Sequence, residues 1–201
     1  MVTKEDFYNI TWEEYNKLVI ELGDKVKNYC QTKGYIIDCI VPILRGGGVL
    51  GIQLSHMLNI VKINPCQYKY ILIGNSYIPI ELLELRLDGV GNKKNTCILV
   101  TEGNHCSGTT AQKCIYKIQQ LLPTAIIIYV SLARDANYLK RLDGTAFEIY
   151  GILSNESKML SDDYCKDNGI PNKFSVFPWE CVEEEVNEVN SSTQNYLDKV
   201  L

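Results

Sequence analysis

Two short stretches of this 201-residue chain hold residues whose types and spacing could handle an anion. The first is Leu44-Arg45-Gly46-Gly47-Gly48. An arginine leading three glycines lets backbone amides come close to a charged group, while the guanidinium adds charge and forked donors. The second is TEGNHCSGTT at 101–110, which sets Ser107-Gly108-Thr109-Thr110 between the apolar run CILV and the helical pattern AQKCIYKIQQLL. At a helix N-terminus, amides lacking intrahelical partners, the helix dipole and three hydroxyls together suit a monophosphate. Each stretch also has a plainer reading. The glycines could serve a tight turn with positive φ, and the Ser/Thr cluster could be an ordinary N-cap.

Other chemistries fit less well. Gly46, Gly48 and Gly51 satisfy G-x-G-x-x-G, but residues 65–75 contain no acid, and a dinucleotide fold needs one about 20 residues on to hold the ribose. Gly103 and Gly108 followed by Thr109-Thr110 form a nucleoside-triphosphate loop without its lysine, which argues against ATP or GTP hydrolysis. His105-Cys106 invites a nucleophile reading, yet adjacent side chains seldom face each other and no third group is evident to orient the histidine. His56, in an apolar helical stretch, reads as a packing residue.

Positioning these stretches requires alternating elements. Thr11 and Glu14 form a capping box ahead of Leu18, Val19, Leu22 and Val26 at helical spacing, with Gly34 as the stop. The run 35–43 reads as a buried strand, 49–58 as a helix and 69–73 as a strand. Residues 77–95 are less regular, alternating in part and ending in a Gly/Asn/Lys loop that reads as mobile. Then come a strand at 97–101, a helix at 109–122, and strands at 125–133 and 145–153. Residues 154–173 are loop-like, and KFSVFPWE at 173–180 is a short aromatic strand or turn. Ile- and Val-rich strands alternating with helices imply a three-layer αβα fold with a mainly parallel central sheet, whose ligands bind at the carboxyl ends of the strands. Both glycine loops fall there.

Composition bounds the rest. With 46% apolar residues, 22% charged residues and a net charge of −4, the chain reads as one globular domain over 1–180 followed by an acidic tail at 181–201. The acidity argues against nucleic acid as a partner. No run is long enough to span a membrane, and the N-terminus lacks a signal-peptide pattern. Eight scattered cysteines without a C-x-x-C pair suit a reduced, cytoplasmic protein.

The ordered set resembles the type I phosphoribosyltransferases, and among them the small 6-oxopurine group. It consists of a strand with Arg-Gly-Gly, a strand with an acid and Ser-Gly-x-Thr, and an aromatic segment ending Pro-Trp-Glu. The resemblance covers roughly residues 30–180. It implies PRPP-dependent transfer of a phosphoribosyl group to a purine-like base, with pyrophosphate released and Mg²⁺ as cofactor. Leu44, Arg45, Gly46 and Gly47 would grip the pyrophosphate, and Ser107, Gly108, Thr109 and Thr110 would cradle the 5′-phosphate. Glu102 would hold the ribose hydroxyls near magnesium. Arg134 would read the 6-oxo group, and Phe174 would stack on the base beside Ser175 within a small aromatic hood (173–180). Residues 75–95 would close over the reacting centre. Partners would be small molecules, and homo-oligomers are common among such enzymes. The chain departs from the pattern at Gly103 and Cys106, where the family carries acids, and at Arg134, where it carries lysine. Those losses keep a second reading open, a nucleotide- or PRPP-binding sensor with little or no turnover.

Overall fold

The computed structural model describes residues 2–73, 76–91, 95–187 and 189–190. The Thr11 capping box closes as the sequence predicts. The Thr11 hydroxyl accepts from the Glu14 amide at 3.2 Å, and the Glu14 carboxylate accepts from the Thr11 amide at 2.8 Å. It starts α1 (Trp12–Lys33), which Gly34 ends at φ 68°. Tyr15, Val19, Leu22, Val26 and Cys30 make its buried stripe.

Ahead of α1 lies a three-residue strand, β1 (Phe7–Asn9), too short to leave a pattern in the sequence. After it come β2 (Ile37–Leu44), α2 (Gly46–Met57), β3 (Cys66–Ile73), β4 (Ser76–Leu83), β5 (Cys97–His105), α3 (Thr109–Leu121), β6 (Ile126–Asp135), β7 (Phe147–Ser154), α4 (Asp162–Asp167) and β8 (Phe174–Val176). Six strands form one sheet in the order β4-β3-β2-β5-β6-β7, parallel except for the β3/β4 hairpin. Alternate residues feed two cores, as period-two geometry requires. Ile40, Leu99, Ile128 and Val130 pack on one face with α1 and α2. Val41, Ile98, Val100, Ile127 and Tyr129 pack on the other with α3. The three-layer αβα architecture is therefore observed.

β8 pairs with β1 in parallel, Phe7 opposite Phe174 and Asn9 opposite Val176. This two-stranded ribbon and the Phe177–Trp179 stack, with ring centroids 5.2 Å apart, form the aromatic hood. Tyr15 and Trp12 extend it from α1.

Several expected boundaries shift. The stretch at 77–95, read as irregular, holds most of β4, antiparallel to β3. Part of the expected closing loop, 75 and 92–94, lies outside the described residues. The 154–173 loop contains α4, capped by the Ser161 hydroxyl, which accepts from the Tyr164 amide at 3.2 Å. His56 is exposed on α2 rather than packed. In the acidic segment 182–187 is helical, Asn190 and Val2 exchange hydrogen bonds at 2.8 and 2.9 Å, and 191–201 lie outside the described residues. All eight cysteines are thiols.

The most consequential shift is at two strand ends. β5 runs four residues beyond the expected Thr101, and β6 two beyond Ala133. Glu102 pairs with Ser131, Asn104 with Ala133, and His105 with Arg134. These polar positions look like loop in sequence, yet the sheet carries them inward.

Candidate active site

The arginine–glycine loop is held against β5 by a close backbone approach. Thr101 Oγ1 donates to the Gly47 carbonyl at 2.8 Å. A Cβ on Gly47 would lie 2.2 Å from the Thr101 carbonyl oxygen, and one on Gly103 would lie 3.0 Å from Gly46 Cα. The glycine at 103, where the resemblance expects an acid, is thus the residue that this packing permits. The Leu44–Arg45 peptide is cis.

This approach builds a polar cavity of about 310 Å³, lined by Leu44 to Gly47, Glu102 to Asn104, Thr110, Phe177 and Glu180, with Tyr68 and Glu185 at its edges. Four residues from the first predicted stretch and four from the second, Glu102, Gly103, Asn104 and Thr110, therefore share one site. Ser107, Gly108 and Thr109 instead line a neighbouring cleft of about 750 Å³. Gly108, at φ 75°, precedes α3, and a Cβ there would lie 2.7 Å from the His105 ring. The Ser107 and Thr109 hydroxyls bond each other at 2.9 Å. The two predicted phosphate loops thus open on adjoining cavities, with Tyr68 on the wall of both.

Behind them runs a buried polar chain that the sequence reading missed. Tyr129 donates to Glu102 Oε2. The tyrosine has one proton, so His105 Nδ1–H donates to its oxygen, at 2.8 Å. Burial and the nearby Arg134 charge lower the His105 pKa to about 4, so its 3.9 Å approach to Glu102 is not an ion pair at neutral pH. Burial raises the Glu102 pKa to about 7, against the lowering effects of the Tyr129 bond and Arg134. Burial likewise raises Glu180 to about 7, and its carboxylate accepts from the Phe177 amide at 2.9 Å. The signal for Tyr129 was available: it is the one polar residue in the run IIIYV, and a buried hydroxyl needs a partner.

This donor set does not fit a magnesium cage. Glu102 is mostly buried, its oxygen is engaged by Tyr129, and its pKa near 7 leaves it partly protonated where a hard cation needs a carboxylate. Among the described residues, no group of three or more His, Cys, Asp or Glu side chains is placed to hold a metal.

Three expected roles need correction. Arg134 is 2% exposed and lies within β6. Its guanidinium bonds Glu148 at 2.8 Å and the carbonyls of Tyr138 and Lys140 at 3.1 and 2.8 Å, so it braces the turn after β6 and does not face a base. Phe174 lines neither cavity. Its ring packs 5.3 Å from Phe7, with the Lys158 ammonium 4.7 Å from its centroid, and Phe177 is the aromatic residue of the hood that reaches the smaller cavity. The Ser175 amide donates to Glu156 Oε1 at 2.8 Å, so it is already occupied. As the sequence suggested, His105 and Cys106 do not cooperate. The Cys106 thiol is 4.0 Å from Asp135, and its pKa is raised to about 11, by burial first and that carboxylate second.

The sheet order, the two glycine turns at its carboxyl edge and the aromatic hood together define the type I phosphoribosyltransferase fold. Among solved structures, the chain is similar to a purine phosphoribosyltransferase from Pyrococcus horikoshii Ot3, at TM-score 0.63 and 19% identity, over 88% of this chain and 95% of that one. It is similar to a xanthine-guanine-hypoxanthine phosphoribosyltransferase from Helicobacter pylori, at 0.62 and 16%, over 90% and 99%. A hypothetical protein from Neisseria gonorrhoeae with bound ppGpp matches at 0.63 and 16%, over 92% and 97%. No family model and no curated protein matches the sequence.

Two outcomes are expected. Glu148→Ala leaves a buried guanidinium without its carboxylate, at a cost of about 3–5 kcal/mol. That lowers the thermal midpoint by roughly 6–20 °C. An unchanged midpoint by circular dichroism would show that Arg134 is not a brace. Glu102 has a folded pKa above its unfolded one, so its carboxylate form disfavours the folded state, and stability falls as pH rises from about 4.5 to 7. Glu102→Gln removes that loss. In metal-free buffer it should melt above the wild type at pH 8, by an amount worth about 3 kcal/mol, with the gap closing below pH 5.

Proposed function

We propose that this protein transfers a phosphoribosyl group from PRPP to a purine-like base and releases pyrophosphate. The observation that carries this reading is the convergence of Leu44–Gly47, Glu102–Asn104 and Thr110 on one polar cavity, beside the Ser107–Thr109 turn. Arg45 and the first amides of α2 take the pyrophosphate, where charge accumulates as it leaves. The Ser107–Thr110 turn takes the 5′-phosphate, so the anomeric carbon lies between two fixed anions. A base nitrogen bonds to that carbon as the carbon–oxygen bond to pyrophosphate breaks, through an oxocarbenium-like transition state. Magnesium belongs to this proposal as an ion carried by PRPP, because the chain's own carboxylates do not fit a cage, and no step is assigned to it. Similarity of fold to purine phosphoribosyltransferases supports the purine class. The unpaired cysteines are in keeping with a reducing, cytoplasmic setting.

A specific observation favours the second reading, a binding module. Cys106 offers no carboxylate to the base, and Glu102 is tied to Tyr129. One assay separates the two. With PRPP, Mg²⁺ and a panel of 6-oxopurines, the transferase releases pyrophosphate, and Arg45→Ala lowers the rate roughly 10²–10³-fold, as loss of a donor to developing charge does. No release, together with calorimetric binding of a 5′-mononucleotide that Thr110→Val abolishes, establishes the module. Binding of neither ligand removes both.

Restoring the acid is expected to harm rather than help. Gly103→Asp places its Cβ against Gly46 and costs about 1–3 kcal/mol. Its rate of pyrophosphate release should not exceed that of the wild type. A faster variant would refute the packing account of Gly103.

A further inference from the structure

The larger cleft lies beside the proposed reaction centre, and its chemistry is different. Along one face of α3, Thr109, Lys113, Tyr116 and Lys117 follow at positions i, i+4, i+7 and i+8, so they stand in a row. The turn between β6 and β7 forms the facing wall, with Tyr138, Lys140 and Arg141. Four cations thus line a cleft that holds two carboxylates, Glu81 and Asp143, in a protein whose net charge is −4. At about 750 Å³ the cleft is the size of a small-molecule site.

The lining is held in place. Gln112 and Asp143 tie α3 to the facing turn, the Gln112 side-chain amide donating to the Asp143 carbonyl at 2.9 Å and its oxygen accepting from the Asp143 amide at 2.8 Å. The Glu148 carboxylate accepts from the Leu142 amide at 2.6 Å and from the Thr145 hydroxyl at 2.8 Å, and Arg141 bonds Thr145 at 3.1 Å. Lys113 sits over the Tyr68 ring at 5.4 Å, and the partly buried Lys117 reaches the exposed Glu84 carboxylate at 3.6 Å, near the limit of an ion pair.

We infer that this cleft binds a phosphate chain, one end at the Ser107–Thr109 turn and the rest running along Lys113 and Lys117 opposite Lys140 and Arg141. A single phosphate at the turn would not reach the lysine row, whereas a chain of two or more phosphates meets both. Tyr116 and Tyr138 add aromatic surface, so the chain can be bare or can carry a nucleoside. The inference goes beyond the transferase reading and does not depend on it, because binding requires neither PRPP nor a base. Its consequence for that reading is competition, since a chain on the turn excludes the 5′-phosphate of PRPP.

The test is calorimetric titration of the full chain with inorganic tripolyphosphate and, separately, with ATP. Binding is expected, with affinity falling at least 10-fold in the Lys113→Ala/Lys117→Ala double variant and within twofold of wild type in Lys166→Ala, an exposed lysine on α4 that lines neither cavity. A matching loss in Lys140→Ala/Arg141→Ala confirms the facing wall. Tripolyphosphate and ATP binding alike assigns the bare chain. ATP binding more tightly, with the excess lost in Tyr138→Ala, assigns a nucleoside-bearing one. No binding at millimolar concentration, or binding unchanged in the Lys113→Ala/Lys117→Ala variant, overturns the inference. Pyrophosphate release is measured independently, so failure here leaves the transferase reading standing, and the reverse holds.

Discussion

The structure of the site depends on one contact, the meeting of the α2 N-terminus with β5. Thr101 Oγ1 donates to the Gly47 carbonyl, and a Cβ on Gly46 or Gly103 would lie 3.0–3.1 Å from the other's backbone. That closeness brings Arg45 and Glu102 to one cavity, and it also disfavours a second carboxylate in the strand. The same contact therefore explains why the arginine loop is in place and why the acidic pair is incomplete. A residue that looks eroded in sequence is, in three dimensions, favoured by its neighbour.

The buried chain Glu102–Tyr129–His105 follows from where β5 ends. Because the strand continues to His105, two groups that would have been solvated on a loop, Glu102 and His105, are carried into the interior, where each must find a partner. Tyr129, in the middle of β6, serves both at once. Desolvation then separates their proton affinities, holding the histidine neutral and the glutamate partly protonated near neutrality. Arg134 belongs to the same economy of partners. One guanidinium fastens Glu148 and two carbonyls of the turn that forms the wall of the larger cleft.

Much of this was legible in the sequence, for identifiable reasons. The capping box at Thr11, the β-branched runs of β2, β5 and β6, and the glycine turns each carry a local signal, and together they imply the αβα layers. The polar ends of β5 and β6 were not legible, because Glu102 to His105 and Arg134-Asp135 have the composition of loops and are strand only through pairing with their neighbours. That error explains the misplaced role of Arg134. It was expected to project from a loop, and it is instead enclosed within a strand. Phe174 failed for a related reason. β1 is only three residues long, so nothing in the sequence revealed that Phe7 would occupy the ring's flank. The division of the anion loops between two cavities depends on the φ of Gly108 and on the turn at 137–143, both set by tertiary contacts.

The ribbon of β1 and β8 has an implication for how the molecule can be handled. Among the described residues β8 has no strand partner except Phe7–Asn9, and one to four residues past its end stand Phe177 and Glu180 on the cavity wall. The segment Phe7–Asn9 is thus a mooring line for the hood. Trimming past Asn9, or crowding that segment with a bulky fusion, would slacken groups more than 160 positions away in the chain while leaving the central sheet intact. Biochemical work on the site should leave the first ten residues native and unencumbered.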